Sequence, residues 1–269
     1  MQWHSSTLRA SGALRLTAVA LLLAALATDA GAGGAWIRPS NHRLTAAGRL
    51  TAAIETGDVS AVRQATEPGR IAHLFVRGDG TQENIEGAIR AADGGYALPL
   101  PPTGGALLGV DLVPVTSRVP VEQLRERSAF AALSPAATGP RVRIVQSAKS
   151  IVRVGESSAP SAIVTSKTGQ AVEIRALVDP SAGYIGDVPL RIYVNGDKCG
   201  KGSLRVTNAT RGETTTLELR PDGFSHFRLD QPGVYHVEFE SLQEGDSNAE
   251  SEWVLYSATL SFESLGGAQ

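Results

Sequence analysis

The stretch from Pro221 to Glu240 constrains the fold of this chain more than any other. Phe227 and Leu229 alternate with polar residues, and so do Tyr235, Val237 and Phe239. Alternation with period two buries one face of a β-strand. Asp230, Gln231, Pro232 and Gly233 separate the two runs and supply turn chemistry. The spacing predicts a β-hairpin. The Asp-x-x-Gly-x-Tyr ending at Tyr235 has the form of a tyrosine corner, in which the phenol hydroxyl bonds back to nearby backbone. An antiparallel β-sandwich is the architecture that uses both devices.

The rest of the chain repeats the pattern. Val172–Val178, Val188–Val194, Ser203–Thr207, Thr214–Leu219 and Trp253–Phe262 each read as a short strand. In the first half, strands are expected from Trp36, from Leu50 to Ile54, Ile71 to Arg77, Asn84 to Arg90, Tyr96 to Leu100 and Leu107 to Val115. Arg141 to Val154 reads as one long strand. With 29 Gly and 14 Pro scattered through 269 residues, breakers favour many short strands over long helices. One helix is expected near residues 120–133, where Val121, Leu124, Phe130 and Leu133 have helical spacing behind Pro120. The fold class predicted is all-β, two tandem β-sandwich domains of immunoglobulin-like or transthyretin-like type joined by that short helix. The expected domains are 33–154 and 169–264, with a Ser-, Gly- and Pro-rich linker or loop at 155–168.

Residues 1–32 read as a secretory signal peptide. Arg9 and Arg15 precede an apolar run from Leu16 to Ala27, and Ala30-Gly31-Ala32 offers a cleavage site. The run is 12 residues, against roughly 20 for a membrane-spanning helix. A periplasmic or secreted protein, not integral to the membrane after cleavage, is therefore expected. A net charge of −2 without a clustered basic surface gives no footprint for nucleic acid. Cys199 is the single cysteine, so no internal disulfide is available, and its polar surroundings predict an exposed thiol.

No nucleophile elbow, zinc-protease helix, phosphate loop or dinucleotide fingerprint is present. The expectation is a protein without catalysis. If Leu229 faces Tyr235 in the predicted hairpin, His226 faces Glu238 and Arg228 faces His236, all pointing away from the core. Two imidazoles and a carboxylate on one patch can hold a divalent transition metal, so His226, His236 and Glu238 are the candidate metal ligands. The other reading of the same patch is a solvated polar face with Arg228 against His236. His73 reads as a strand residue and His42 as part of a turn.

Four segments together resemble a secreted bacterial family catalogued as domain of unknown function 4198. They are Trp36–Ser40 with Leu44 and Gly48, Arg118–Leu124, Ser147–Gly155, and Asp222–Tyr235 followed by Tyr256–Phe262. Some members of that family are associated with nickel or cobalt uptake. The resemblance implies an extracytoplasmic β-protein acting beside a membrane transporter, a receptor or another envelope protein. Members often carry a His-containing segment just before the Trp, where this chain has Gly33, Gly34 and Ala35.

Overall fold

The computed structural model describes residues 33–45, 49–57, 63–78, 81–85, 95–101, 103–126, 139–245 and 252–266. The signal-peptide expectation lies outside them. The first half supplies β1 (Gly34–Pro39), β2 (Arg43–Leu44), β3 (Arg49–Gly57), β4 (Gln64–Ala65), β5 (Ile71–Gly78), β6 (Thr81–Asn84), β7 (Tyr96–Pro99), β8 (Gly104–Leu112) and β9 (Val115–Arg118). A six-residue helix, α1 (Val121–Glu126), follows, and then the long strand β10 (Arg141–Val154). The second half supplies β11 (Val172–Ala176), β12 (Gly186–Val194), β13 (Asp197–Lys198), β14 (Ser203–Asn208), β15 (Glu213–Leu217), β16 (Phe224–Leu229), β17 (Gly233–Glu244) and β18 (Trp253–Ser264).

These strands build three sheets. A ten-stranded central sheet runs β15-β14-β17-β18-β10-β8-β5-β6, with β2 and β9 also paired along β10. One small sheet holds β1, β3, β4 and β7, and the other holds β11, β12, β13 and β16. The inner strand β10 buries both of its faces. On β10, Ala148 and Val152 join a core with Ile37, Leu50, Ile54 and Leu98 of the first small sheet. Val145 and Ile151 of the same strand join a core with Val172, Ile174, Leu190 and Ile192 of the second. The two small sheets therefore cover opposite faces of one shared sheet. Strands buried on both sides read as nearly continuous apolar or small runs, which is why the pattern of β10 alternates less clearly than that of β12.

The all-β class is as expected. The central sheet, however, is not divided between two separate sandwiches. β10 pairs in parallel with β18 from Val142 to Ser150, and antiparallel with β9 and β8 at its two ends. Residues Ala32–Gln269 form one compact unit. The segment expected as a linker, 155–168, is irregular but held down. The buried Arg153 guanidinium donates to the carbonyls of Ser157 (2.9 Å) and Ala159 (2.6 Å) and to Asp179 (2.7 Å). Asp179 in turn accepts the Ser161 N–H at 2.9 Å. A Cβ at Gly105 would come within 2.8 Å of Ser161, so glycine permits this close approach.

Buried charge joins the central and second small sheets a second time. The Lys149 Nζ donates to Glu173 Oε1 at 2.9 Å, and both side chains are almost wholly excluded from solvent. Helix α1 buries Val121 and Leu124 against Val142, Ile144 and Leu255. Its expected continuation to residue 133 falls outside the described residues. No helix among the described residues is long and apolar enough to cross a membrane.

Candidate functional site

The predicted metal patch is taken apart by strand pairing. β16 and β17 do not pair with each other. β16 pairs with β12, setting His226 opposite Pro189 and Arg228 opposite Asp187. β17 pairs with β14 and β18, setting His236 between Thr207 and Ser261. The two strands lie in different sheets and face each other across one core, joined by an arch. Phe227, Leu229, Tyr235, Val237 and Phe239 all belong to that core, as the alternation required. Tyr235 donates its hydroxyl to the Gln231 carbonyl at 2.9 Å, so the tyrosine corner is present and closes the arch.

His226 is exposed on the second small sheet, while His236 and Glu238 lie on the opposite face of the central sheet. Glu238 is buried and 3.4 Å from the Arg205 guanidinium. Arg228 is 3.9 Å from Asp187 rather than against His236. Among the described residues, no group of three or more His, Cys, Asp or Glu side chains is arranged to hold a metal ion. Cys199 also differs from expectation: it is buried, with its thiol 3.3 Å from the Lys201 carbonyl.

His236 does occupy a site, formed with residues distant in sequence. β1 lies across the face of the central sheet where His236 projects. Its carbonyls are held there by side chains: Thr259 donates to Ala35 O at 2.6 Å, Ser261 to Ile37 O at 3.3 Å, and the Gln146 amide to Gly33 O. Beside this crossing is a cleft of about 620 Å³. Its lining includes Arg38, Ser40, His42, Arg63, His236 and Glu263. A volume of this size suits a small ligand.

Behind the lining, Trp36 packs against two of its residues, Arg63 and His236. This indole is fully buried and donates Nε1–H to the Gly57 carbonyl at 2.9 Å. The Arg63 guanidinium stacks 4.2 Å from the indole centroid, and the His236 ring meets it edge-on at 5.2 Å and 82°. The charged groups of the lining are already engaged. Arg38 pairs with Glu55 at 2.6 Å, Arg63 lies 4.0 Å from the same carboxylate, and Glu263 lies 4.0 Å from Arg43.

The two imidazoles are held uncharged. Burial, and then the positive charge of Arg63 and proximity to His42, push His236 down to about 4. Burial also lowers His42, against the opposing effect of its bond to Ile151. The His42 Nδ1 is 3.0 Å from the Ile151 carbonyl. A carbonyl only accepts, so Nδ1 carries the proton and Nε2 of neutral His42 is a bare acceptor. The Nδ1 of His236 is sealed from solvent with no hydrogen-bond partner. Each ring therefore has Nε2 to offer the cleft.

A second polar cluster joins Asp111, Ser147, His73 and Gln170. Ser147 donates to Asp111 Oδ1 at 2.5 Å, and His73 Nδ1 lies 3.8 Å from Asp111 Oδ2. The residue types are those of a hydrolytic triad, but the order is not. The carboxylate holds the serine hydroxyl directly, where a triad places the imidazole.

Sequence reasoning singled out His236 and its outward direction. It did not join His236 to Trp36, His42 or Arg63. No local spacing carries that association, because β1 reaches β17 only through the sheet packing.

No protein-family model matches the chain, and no curated protein matches it. One solved structure similar to it is described as the crystal structure of a tetra-tandem repeat in the extending region of a large adhesion protein. The match has a TM-score of 0.20 and 13% identity, and spans 86% of this chain but 49% of the other, about half its length. A TM-score of 0.20 is too low to carry a conclusion about this chain.

Proposed function

We propose that this protein is a non-enzymatic binding module, exported by its N-terminal segment to the periplasm or beyond. Its ligand site is the cleft beside β1, and it acts as an accessory to an envelope transporter or receptor. The observation that carries the reading is a pair of uncharged imidazoles, each with a ring nitrogen uncommitted, lining one preformed cleft. Preformed concavity with a few convergent polar groups is the usual form of a small-ligand site. The apolar run Leu16–Ala27 behind Arg9 and Arg15, read as an export signal, supports the compartment.

The test is retention of small molecules. The chain from Gly33 is incubated with envelope extract, washed, and its bound species are identified by mass spectrometry. A Ser40→Trp variant, which fills the mouth of the cleft from an exposed position, is run beside it. At least one species is expected on the parent and not on the variant, released chemically unchanged. Identical retention by both, or release of a converted product, overturns the reading.

A further inference from the structure

The uncommitted hydrogen-bonding capacity of the cleft identifies the chemistry it accepts. This step rests on the cleft being the ligand site. The ionic side chains of the lining are two of each sign: Arg38 and Arg63 lie by Glu55, and Glu263 lies by Arg43 just outside the lining. That arrangement does not call for a ligand of one sign. Among the groups still on offer are the Nε2 of His42 and of His236, beside the Ser40 hydroxyl and the Asn41 side chain of the same lining. The first is a bare acceptor, because Nδ1 donates to Ile151. For the second, a sealed Nδ1 is better left as a lone pair than as a buried N–H without a partner, so its Nε2 carries the proton and donates. One acceptor and one donor therefore face the same space. A hydroxyl group answers both, since it is donor and acceptor on one atom. Ile37, Pro39 and Val234 give the cleft apolar wall beside those polar atoms, suited to the C–H face of a ring.

We infer that the cleft beside β1 binds a neutral glycan, whose hydroxyl groups are read by the Nε2 atoms of His42 and His236. The acceptor role of His42 makes the contact sensitive to acid. Protonated His42 turns its acceptor into a second donor, and the positive charge is placed beside Arg43, with only Glu263 opposing it. Around His236 the facing groups are Arg63, His42 and the Trp36 indole, with Glu55 beyond Arg63. Neither ring gains a new anionic partner on protonation. Binding is constant from pH 8 to 7 and weakens only as the pH falls through the lowered His42 value, which lies below the ordinary imidazole value of about 6.5.

The experiment follows the ring signals of His42 and His236 by NMR in the full mature chain. The probes are three neutral trisaccharides (maltotriose, cellotriose and chitotriose), glutarate as an anion and putrescine as a cation. At least one trisaccharide is expected to shift both rings at pH 7.5, with measurably weaker affinity at pH 4.5. The same binding is expected to weaken at least tenfold in Ser40→Trp, and also in His42→Phe, which removes both ring nitrogens. Ser40→Trp leaves every hydrogen bond of the lining in place, so it decides the matter if His42→Phe does not fold. If glutarate or putrescine shifts both rings while no trisaccharide does, the glycan inference fails and the cleft keeps its role as the binding site. If no probe shifts either ring, the inference fails outright, and the retention experiment decides separately on the cleft.

Discussion

Lys149 and Glu173 show how a single pair can fix two layers. Both carboxylate oxygens are used: Oε1 takes Lys149 and the Thr168 N–H at 2.8 Å, and Oε2 takes the Gly169 N–H at 3.2 Å. Burial alone would raise the Glu173 carboxyl, but the Lys149 ammonium and these two N–H groups hold it below its ordinary value. Its contribution to stability is then full above the unfolded carboxylate value and is lost only as the pH falls through the lowered folded value. Removing one partner leaves the other charge buried. Lys149→Met should cost roughly 3–5 kcal/mol in denaturant unfolding at pH 7. The double variant Lys149→Met/Glu173→Gln should recover at least half of that loss. Equal stability of the single and double variants would show that the pair is not coupled.

At the scale of elements, the arch between β16 and β17 decides what the second half can display. A hairpin and an arch have the same alternation, because in both the inward residues of the two strands share one core. They differ in whether neighbours lie beside each other or opposite each other. Pairing can be read by cross-linking in a Cys199→Ser background. The pair Pro189→Cys/His226→Cys lies on adjacent strands and should oxidise to a disulfide. The pair His226→Cys/Glu238→Cys lies on separate sheets and should not; its efficient oxidation would restore the hairpin. Strand positions were largely legible from the sequence, since β11, β12, β14 and β18 begin within two residues of the alternating runs that predicted them. Partnership was not legible. Nothing local in Asp230 to Gly233 says that Leu229 will meet Gly186 and that Tyr235 will meet Asn208 and Phe262. The cleft was hidden for the same reason. His42 sits in the turn expected of it, but its imidazole finds Ile151, 109 residues away. Burial of Cys199 was missed because its polar neighbours, Asp197 and Lys198, gave no sign of the contact beneath.

For the whole molecule, sharing one sheet between two cores couples their fates. Ala148 and Val152 belong to one core while Val145 and Ile151 belong to the other, all on β10. Loosening either face releases the strand that backs the opposite one. Unfolding by urea should therefore follow a single transition, with the same midpoint by tryptophan fluorescence and by far-ultraviolet circular dichroism. Trp36 reports on β1 where it crosses the central sheet, Trp253 on the cluster beneath α1, and the strand signal on both cores. A fragment of residues 33–168 should lack cooperative unfolding, because it leaves the β18 edge of β10 open from Val142 to Ser150. Two separated midpoints, or a cooperatively folded fragment, would mean that the halves are independent.

The position of β18 has a further consequence, for the order of assembly. This strand comes last among those described, yet it lies in the middle of the widest sheet, between β17 and β10. Until residues 253–264 arrive, both neighbours keep an unpaired edge, and the parallel contact with β10 must close over more than a hundred residues of intervening chain. Long-range pairing of this kind folds slowly and leaves sticky edges exposed while it waits. A growing chain of this protein is thus open at the centre of this sheet until residues 253–264 have been made. Whatever guards it during that interval has to shield the flanks of β10 and β17 rather than the rim of the finished sheet.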